Sequence, residues 1–152
     1  MAAADGNFPV GSLNSWEIGV LDREMARDGF QAWYRNPARP SADALSVAYR
    51  NAQGHWRRMC PDFIFFHGEE DDVKVSIVDP HGHHLADALS KLRGLADFAK
   101  AHSESFHRIE SVARLADGVL RVLDLTDPNV REAVASCQDI QALYRGDVAS
   151  DY

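Results

Sequence analysis

The segment VKVSIVDPHGHHLADALSKLRGLADFAKAH, residues 73–102, changes its hydrophobic period in mid-course, and that change limits what the chain can fold into. From Val73 to Ile77 apolar and polar residues alternate, the period of a strand with one buried face. From Leu85 onward the apolar positions Leu85, Leu89, Leu92, Ala96 and Ala99 follow helical spacing, so one helix face packs on a sheet. Pro80 offers no N–H to a strand ladder and Gly82 frees the backbone to turn, so the strand ends at Asp79. A strand that runs into a helix crossing a sheet face requires a mixed α/β architecture.

The rest of the chain agrees with that class. Residues 1–12, small and polar with Gly and Pro, read as a flexible leader, and residues 13–152 as one domain. Asn14 or Ser15 can cap a helix running to about Asp28, with Ile18, Leu21 and Met25 as its apolar stripe and Gly29 ending it. FQAWYRN and SVAYRN read as a first strand and its neighbour. DFIFFHG, the charged turn EEDD and VKVSIVD read as a hairpin. After the crossing helix, FHRIESVAR and VLRVLDL read as strands joined by the turn ADG. DPNVREAVAS reads as a helix with Asp127 at its N-cap and Pro128 in its first turn. The expected order is α-β-β-β-β-α-β-β-α.

Composition excludes several classes. With 152 residues and 45% apolar content the chain can bury one sizeable core. No apolar run approaches the roughly 20 residues needed to cross a bilayer, and the start has no secretory signal, so a cytoplasmic protein without membrane contact is expected. Cys60 and Cys137 form no CxxC pair, which argues against a zinc ribbon and leaves reduced, packed thiols as the expectation.

The net charge of −7 hides a local imbalance. Between residues 31 and 60, Arg35, Arg39, Arg50, Arg57 and Arg58 stand against Asp43, a charge of +4. Between 61 and 80, six acids stand against Lys74, a charge of −5. A basic approach to an acidic centre suits a metal-dependent enzyme acting on a polyanion. A solvated arginine-rich hairpin beside an acidic turn produces the same pattern.

Geometry sharpens the acidic centre. Asp62 opens one strand of the hairpin and Asp79 closes the other, so antiparallel pairing brings both carboxylates to one end of the sheet, where they could share a metal. Asp79 and His81 project to one strand face and Lys74 to the other, if the extended conformation continues to His81. Asp62 could instead cap the turn at Pro61. Asp79 is harder to dismiss, because a carboxylate ending an apolar strand costs several kcal/mol unless paired or metal-bound.

CPDFIFF, followed seventeen residues after Asp62 by VDPHG, resembles the PD-(D/E)XK nuclease superfamily, most closely the restriction-endonuclease-like domain at the carboxyl end of DEAD/DEAH-type helicases and type III restriction subunits. The resemblance runs through SWEIGVLDREM as first helix, FQAWYRNP as first strand, MCPDFIFF, VSIVDPHG, and HLADALSKLRGLADFA as crossing helix. It implies a restriction-endonuclease-like α/β fold, a mixed central sheet of about five strands flanked by helices. It also implies a DNA-cleaving hydrolase in which Asp62 and Asp79 hold Mg²⁺ or Mn²⁺ and Glu17, on the first helix, completes the metal shell. The chain has no GxxxxGK[ST] loop and so supplies no ATPase of its own; the resemblance implies a helicase or ATPase domain or subunit as partner.

His81 stands where such enzymes carry lysine. Neutral imidazole can act as general base, or can ligate and shift preference toward Mn²⁺. The alternative is an inactive site on a nuclease fold retained as a DNA-binding or docking module. Lys91 on the crossing helix is a candidate substitute cation, although its i, i+4 spacing from Asp87 also suits a surface pair. His83 and His84 read as the first turn of that helix. HGHHLAD departs from the HxHxDH zinc-hydrolase pattern at Leu85 and Ala86. DNA contact falls to Arg35, Arg50, Arg57 and Arg58, with Trp33, Tyr34, Tyr49 and Trp56 between them as stacking surfaces, about half of which the core must claim.

Overall fold

The computed structural model of the chain describes residues 10–69, 71–80, 82 and 87–152. Helix α1 (Ser15–Met25) is followed by β1 (Phe30–Arg35), β2 (Val47–Arg50), β3 (Trp56–Met59), β4 (Phe63–Glu69) and β5 (Asp72–Pro80). Then come α2 (Ala88–His102), β6 (Arg108–Arg114), β7 (Leu120–Asp124), α3 (Pro128–Ser136), α4 (Ile140–Arg145) and β8 (Ser150–Asp151). A 3-10 turn at Val10–Ser12 precedes α1, and Leu13 is buried, so the end of the expected leader is structured. No helix among the described residues is long and apolar enough to cross a membrane.

Six strands form the main sheet in the order β1-β4-β5-β6-β7-β8. Only β5 and β6 pair in parallel, joined by α2, because a parallel neighbour requires a crossover. The sheet is therefore mixed. Alternation along the strands divides it into two buried faces. Phe63, Phe65, Val78, Val112 and Val122 pack under α1, whereas Ile77, Ile109, Ala113 and Leu123 pack beneath the elements from α2 to α4. Burying each large side chain contributes roughly 1.5–3 kcal/mol, so neither face can be left uncovered.

Several expectations need correction. SVAYRN does not lie beside the first strand: β1 pairs with β4, while β2 pairs with β3 in a separate two-stranded sheet. WRRM, too short and too charged to read as a strand, is stabilised by this partner and by the packing of β2 on α2. There the close approach requires Gly94, where a Cβ would lie 2.3 Å from the Cβ of Tyr49. α2 begins at Ala88, later than its apolar spacing suggests. The short α4 and β8 carry no periodicity of their own. With β8 the sheet has six strands where about five are expected.

Helix α1 ends at Met25, and its inward stripe is Glu17, Val20, Leu21 and Glu24 in place of Ile18, Leu21 and Met25. Met25 is 49% exposed. The helix is rotated because Glu17 and Glu24 meet arginines from the sheet, Arg35 and Arg108. Its N-terminus is the expected one: Asn14 accepts from the backbone N–H groups of Trp16 and Glu17, and Glu17 accepts from that of Asn14. Asp127 and Pro128 likewise open α3.

Candidate active site

The β4–β5 register, with Phe63 opposite Val78 and Glu69 opposite Asp72, brings Asp62 and Asp79 together at one end of the hairpin. The backbone N–H of Asp62 donates to Asp79 Oδ1 at 3.0 Å. Asp79 itself is 4% exposed and lies beside Ser111 of β6 in the parallel ladder. Ser111 accepts a hydrogen bond of 2.7 Å from the hydroxyl of Tyr144, a fully buried residue of α4 whose pKa is pushed up by burial first. Polar groups thus back Asp79 from the core side.

Asp62 is fixed from several directions. Arg35 Nη1 donates to its Oδ1 at 2.5 Å and to its carbonyl oxygen at 2.8 Å, while Nη2 reaches Glu17 Oε1 at 2.6 Å. The guanidinium also lies 4.8 Å from the Phe63 ring centroid. Buried Asn36 holds the loop before Asp62 by donating to the carbonyl oxygens of Leu45 and Pro61, and its backbone N–H donates to that of Asp62. Asn36 was not singled out from the sequence. The Asn36-Pro37 step after a strand was its visible signal.

Electrostatics at this end remain unbalanced despite Arg35. Burial, then the charge of Asp79, raises the Asp62 carboxyl to about 6; Arg35 opposes the shift and Glu17 adds to it. A carboxylate so raised marks a place where one more positive charge would be stabilised. Among the described residues no group of three or more His, Cys, Asp or Glu side chains is disposed to hold a metal ion. Both Glu17 oxygens are engaged, one by Arg35 and one by the backbone of Asn14. Asp62 and Asp79 therefore stand as a pair of acids, with Glu17 linked to Asp62 through Arg35.

The structure separates the other candidates. Lys91 directs its ammonium to Asp87 at 3.2 Å, and the same Asp87 oxygen accepts from the hydroxyl of Tyr49 at 2.9 Å. Asp87 occupies the N-cap position of α2 without a capping hydrogen bond from its side chain. Arg35, expected among the DNA contacts, is instead clamped between Glu17 and Asp62. Arg50, Arg57 and Arg58 are exposed on β2 and β3. Of the four aromatics, Tyr49 is buried and Trp33 packs against the core under α1, while Tyr34 and Trp56 are exposed. His81, His83 and His84 lie outside the described residues.

A second charged cluster joins α1 to the sheet. Arg108 donates to both oxygens of fully buried Glu24, at 3.0 and 2.6 Å, and to Glu110 at 2.7 Å; Tyr152 donates to Glu24 at 2.7 Å. Burial, the largest influence, pushes the Glu24 carboxyl up, yet Arg108, Tyr152 and Arg27 together hold it below its ordinary value. Glu24 gave no sequence signal, since a lone helix acid reads as solvated.

The sequence profile of the YagJ family matches residues 1–152, the whole chain. The chain belongs to the YagJ family. Protein YagJ of Escherichia coli (strain K12) is 45% identical over 147 residues, which cover 97% of this chain and 59% of that protein. The chain thus spans about three-fifths of the length of its YagJ relative. No solved structure matches it significantly.

Proposed function

We propose that the Asp62–Asp79 end of the sheet is the centre of a divalent-metal-dependent deoxyribonuclease with a restriction-endonuclease-like fold. The observation that carries the reading is the hydrogen bond from the Asp62 backbone to Asp79, together with the rise of the Asp62 carboxyl to about 6. Burial and a like charge raise that pKa, and a shared divalent cation would relieve both causes. The order of elements lends support: α1, β1, β4, β5 and α2 come in the chain order the nuclease resemblance implies, with β2 and β3 inserted between β1 and β4, and the two acids lie just before β4 and near the end of β5.

Asp62 and Asp79 would hold Mg²⁺ or Mn²⁺. When bound, the cation supplies Lewis acidity, making a water more acidic and neutralising charge on the phosphate. The protein's own groups do the rest. Arg35 fixes the orientation of Asp62, and Glu17 fixes Arg35. His81, two residues beyond Asp79, accepts the proton of the attacking water or completes the ligand set. Arg50, Arg57 and Arg58 receive DNA phosphates, and a helicase or ATPase supplied by another domain or subunit opens the substrate.

One observation favours a second reading. Arg35 already places a cation between Glu17 and Asp62, as a site that has exchanged its metal for an internal guanidinium would do. In that case the protein is a DNA-binding or docking module without catalysis. Incubation with labelled single- and double-stranded DNA in Mg²⁺ and in Mn²⁺ separates the two. Cleavage abolished by chelator and by Asp79→Ala supports the nuclease; intact DNA with binding unchanged by Asp79→Ala supports the module.

A further inference from the structure

The stretch from Ala44 to Pro61 contains no acid, although the protein carries a net charge of −7. It folds as the β2–β3 hairpin, with Val47 opposite Met59, Ala48 opposite Arg58, Tyr49 opposite Arg57 and Arg50 opposite Trp56. Pleating assigns these pairs to two faces. Val47, Tyr49 and Met59 are buried in the core beside α2, anchored by the Gly94 contact and by the hydrogen bond from Tyr49 to Asp87. The other face presents Ala48, Arg50, Trp56 and Arg58 to solvent.

On that face Trp56 is 63% exposed, the most exposed large apolar side chain among the described residues. The guanidinium of Arg50 lies 4.6 Å from the ring centroid, holding the indole across the strand pair. Beside them Ala48, opposite Arg58 in the register, adds only a methyl group to this face. The result is one aromatic plane with arginines on the same face of a hairpin whose other face is anchored in the core. β3 continues through Cys60 and Pro61 directly into Asp62.

We infer that the outer face of this hairpin is a binding platform for single-stranded nucleic acid, with an unpaired base stacked on Trp56 and adjacent phosphates on Arg50 and Arg58. A base can stack on an exposed ring only when its own face is free of neighbouring pairs, and stacking of this kind accepts any sequence. A free two-stranded ribbon can enter a major groove, whereas this hairpin has its inner face packed into the core and strands of only four residues, so it offers a flat outer surface of a few nucleotides' reach. The inference rests on the nucleic-acid reading above and adds the strand state and the stacking residue.

The test is a binding titration of the intact chain in EDTA, where catalysis plays no part, using fluorescein-labelled oligothymidylate and a mixed-sequence duplex of equal length. Tighter binding of the single strand with quenching of tryptophan emission, and a loss of about 10- to 100-fold on Trp56→Ala restored by Trp56→Phe, is the expected result. Arg50→Ala with Arg58→Ala should make the slope of log K against log salt concentration shallower by roughly 1.4. Circular dichroism of the variants shows whether each is folded, and the exposed positions should leave the spectrum unchanged. Equal or tighter duplex binding, no binding of either probe, or full affinity in a folded Trp56→Ala protein overturns the inference. Binding as expected without cleavage in Mg²⁺ or Mn²⁺ overturns only the catalytic reading.

Discussion

Replacing Asp62 with Asn tests the electrostatics of the site through stability alone. In the folded protein the Asp62 carboxyl is raised from 3.8 to about 6, by burial first and by Asp79 second. A raised carboxyl favours the folded state while protonated. That contribution is complete below pH 3.8 and is lost as pH rises through 6. About two pKa units at 1.36 kcal/mol each make ionised Asp62 a liability of about 3 kcal/mol near pH 7.5. Asn keeps an oxygen for Arg35 but gives a weaker bond, so Asp62→Asn should gain about 2 kcal/mol at pH 7.5 and nothing near pH 3.5. Urea unfolding from pH 3.5 to 8 in EDTA reads the difference, because titrating groups remote from the site cancel between the two proteins and leave Asp62 with the neighbouring acids coupled to it. A difference independent of pH, or a less stable variant at pH 7.5, would refute the reasoning: Arg35 would then dominate Asp62 and no cation would be wanted there.

Other substitutions address the supports. Arg35→Ala leaves Glu17 and Asp62 facing each other and should cost about 3 kcal/mol in chemical denaturation, with Arg35→Lys recovering little because one ammonium cannot bridge both acids. Glu24→Gln should cost about 3 kcal/mol at pH 7 by leaving Arg108 with only Glu110. Because the Glu24 carboxyl is held below 4.5, its stabilisation is present above that pH and lost as pH falls through the depressed value, so the variant and parent should converge in acid. Gly94→Ala should destabilise by about 1–3 kcal/mol and raise protease cutting in the β2–β3 hairpin, since the new methyl displaces Tyr49 from α2.

The parts legible in the sequence were those with local causes. The strand that closes at Asp79, the helix cap at Asn14 and the Asp127-Pro128 helix start are written within a few residues; the two caps fall where their signals lie, and β5 runs one residue further, through Pro80. Pairing Asp62 with Asp79 needed only hairpin register, which the alternation and short turn specify. The partner of the first strand was not legible, because β1 and β4 are joined by a long excursion whose own strands pair with each other. The rotation of α1 was hidden for a related reason. Glu17 and Glu24 face inward only because Arg35 and Arg108, distant in sequence, arrive to neutralise them. Arg35 itself read as surface charge and became the cation of the site.

The central claim is that Asp62 and Asp79 together hold a divalent cation, and Mn²⁺ titration followed by electron paramagnetic resonance tests it most directly. The account predicts that the parent chain binds Mn²⁺, that affinity rises with pH through about 6 as Asp62 loses its proton, and that folded Asp79→Asn does not bind. Mn²⁺ left entirely free in the presence of the parent chain, or bound equally by Asp79→Asn, would contradict it and leave Arg35 as the only cation this site was built to hold.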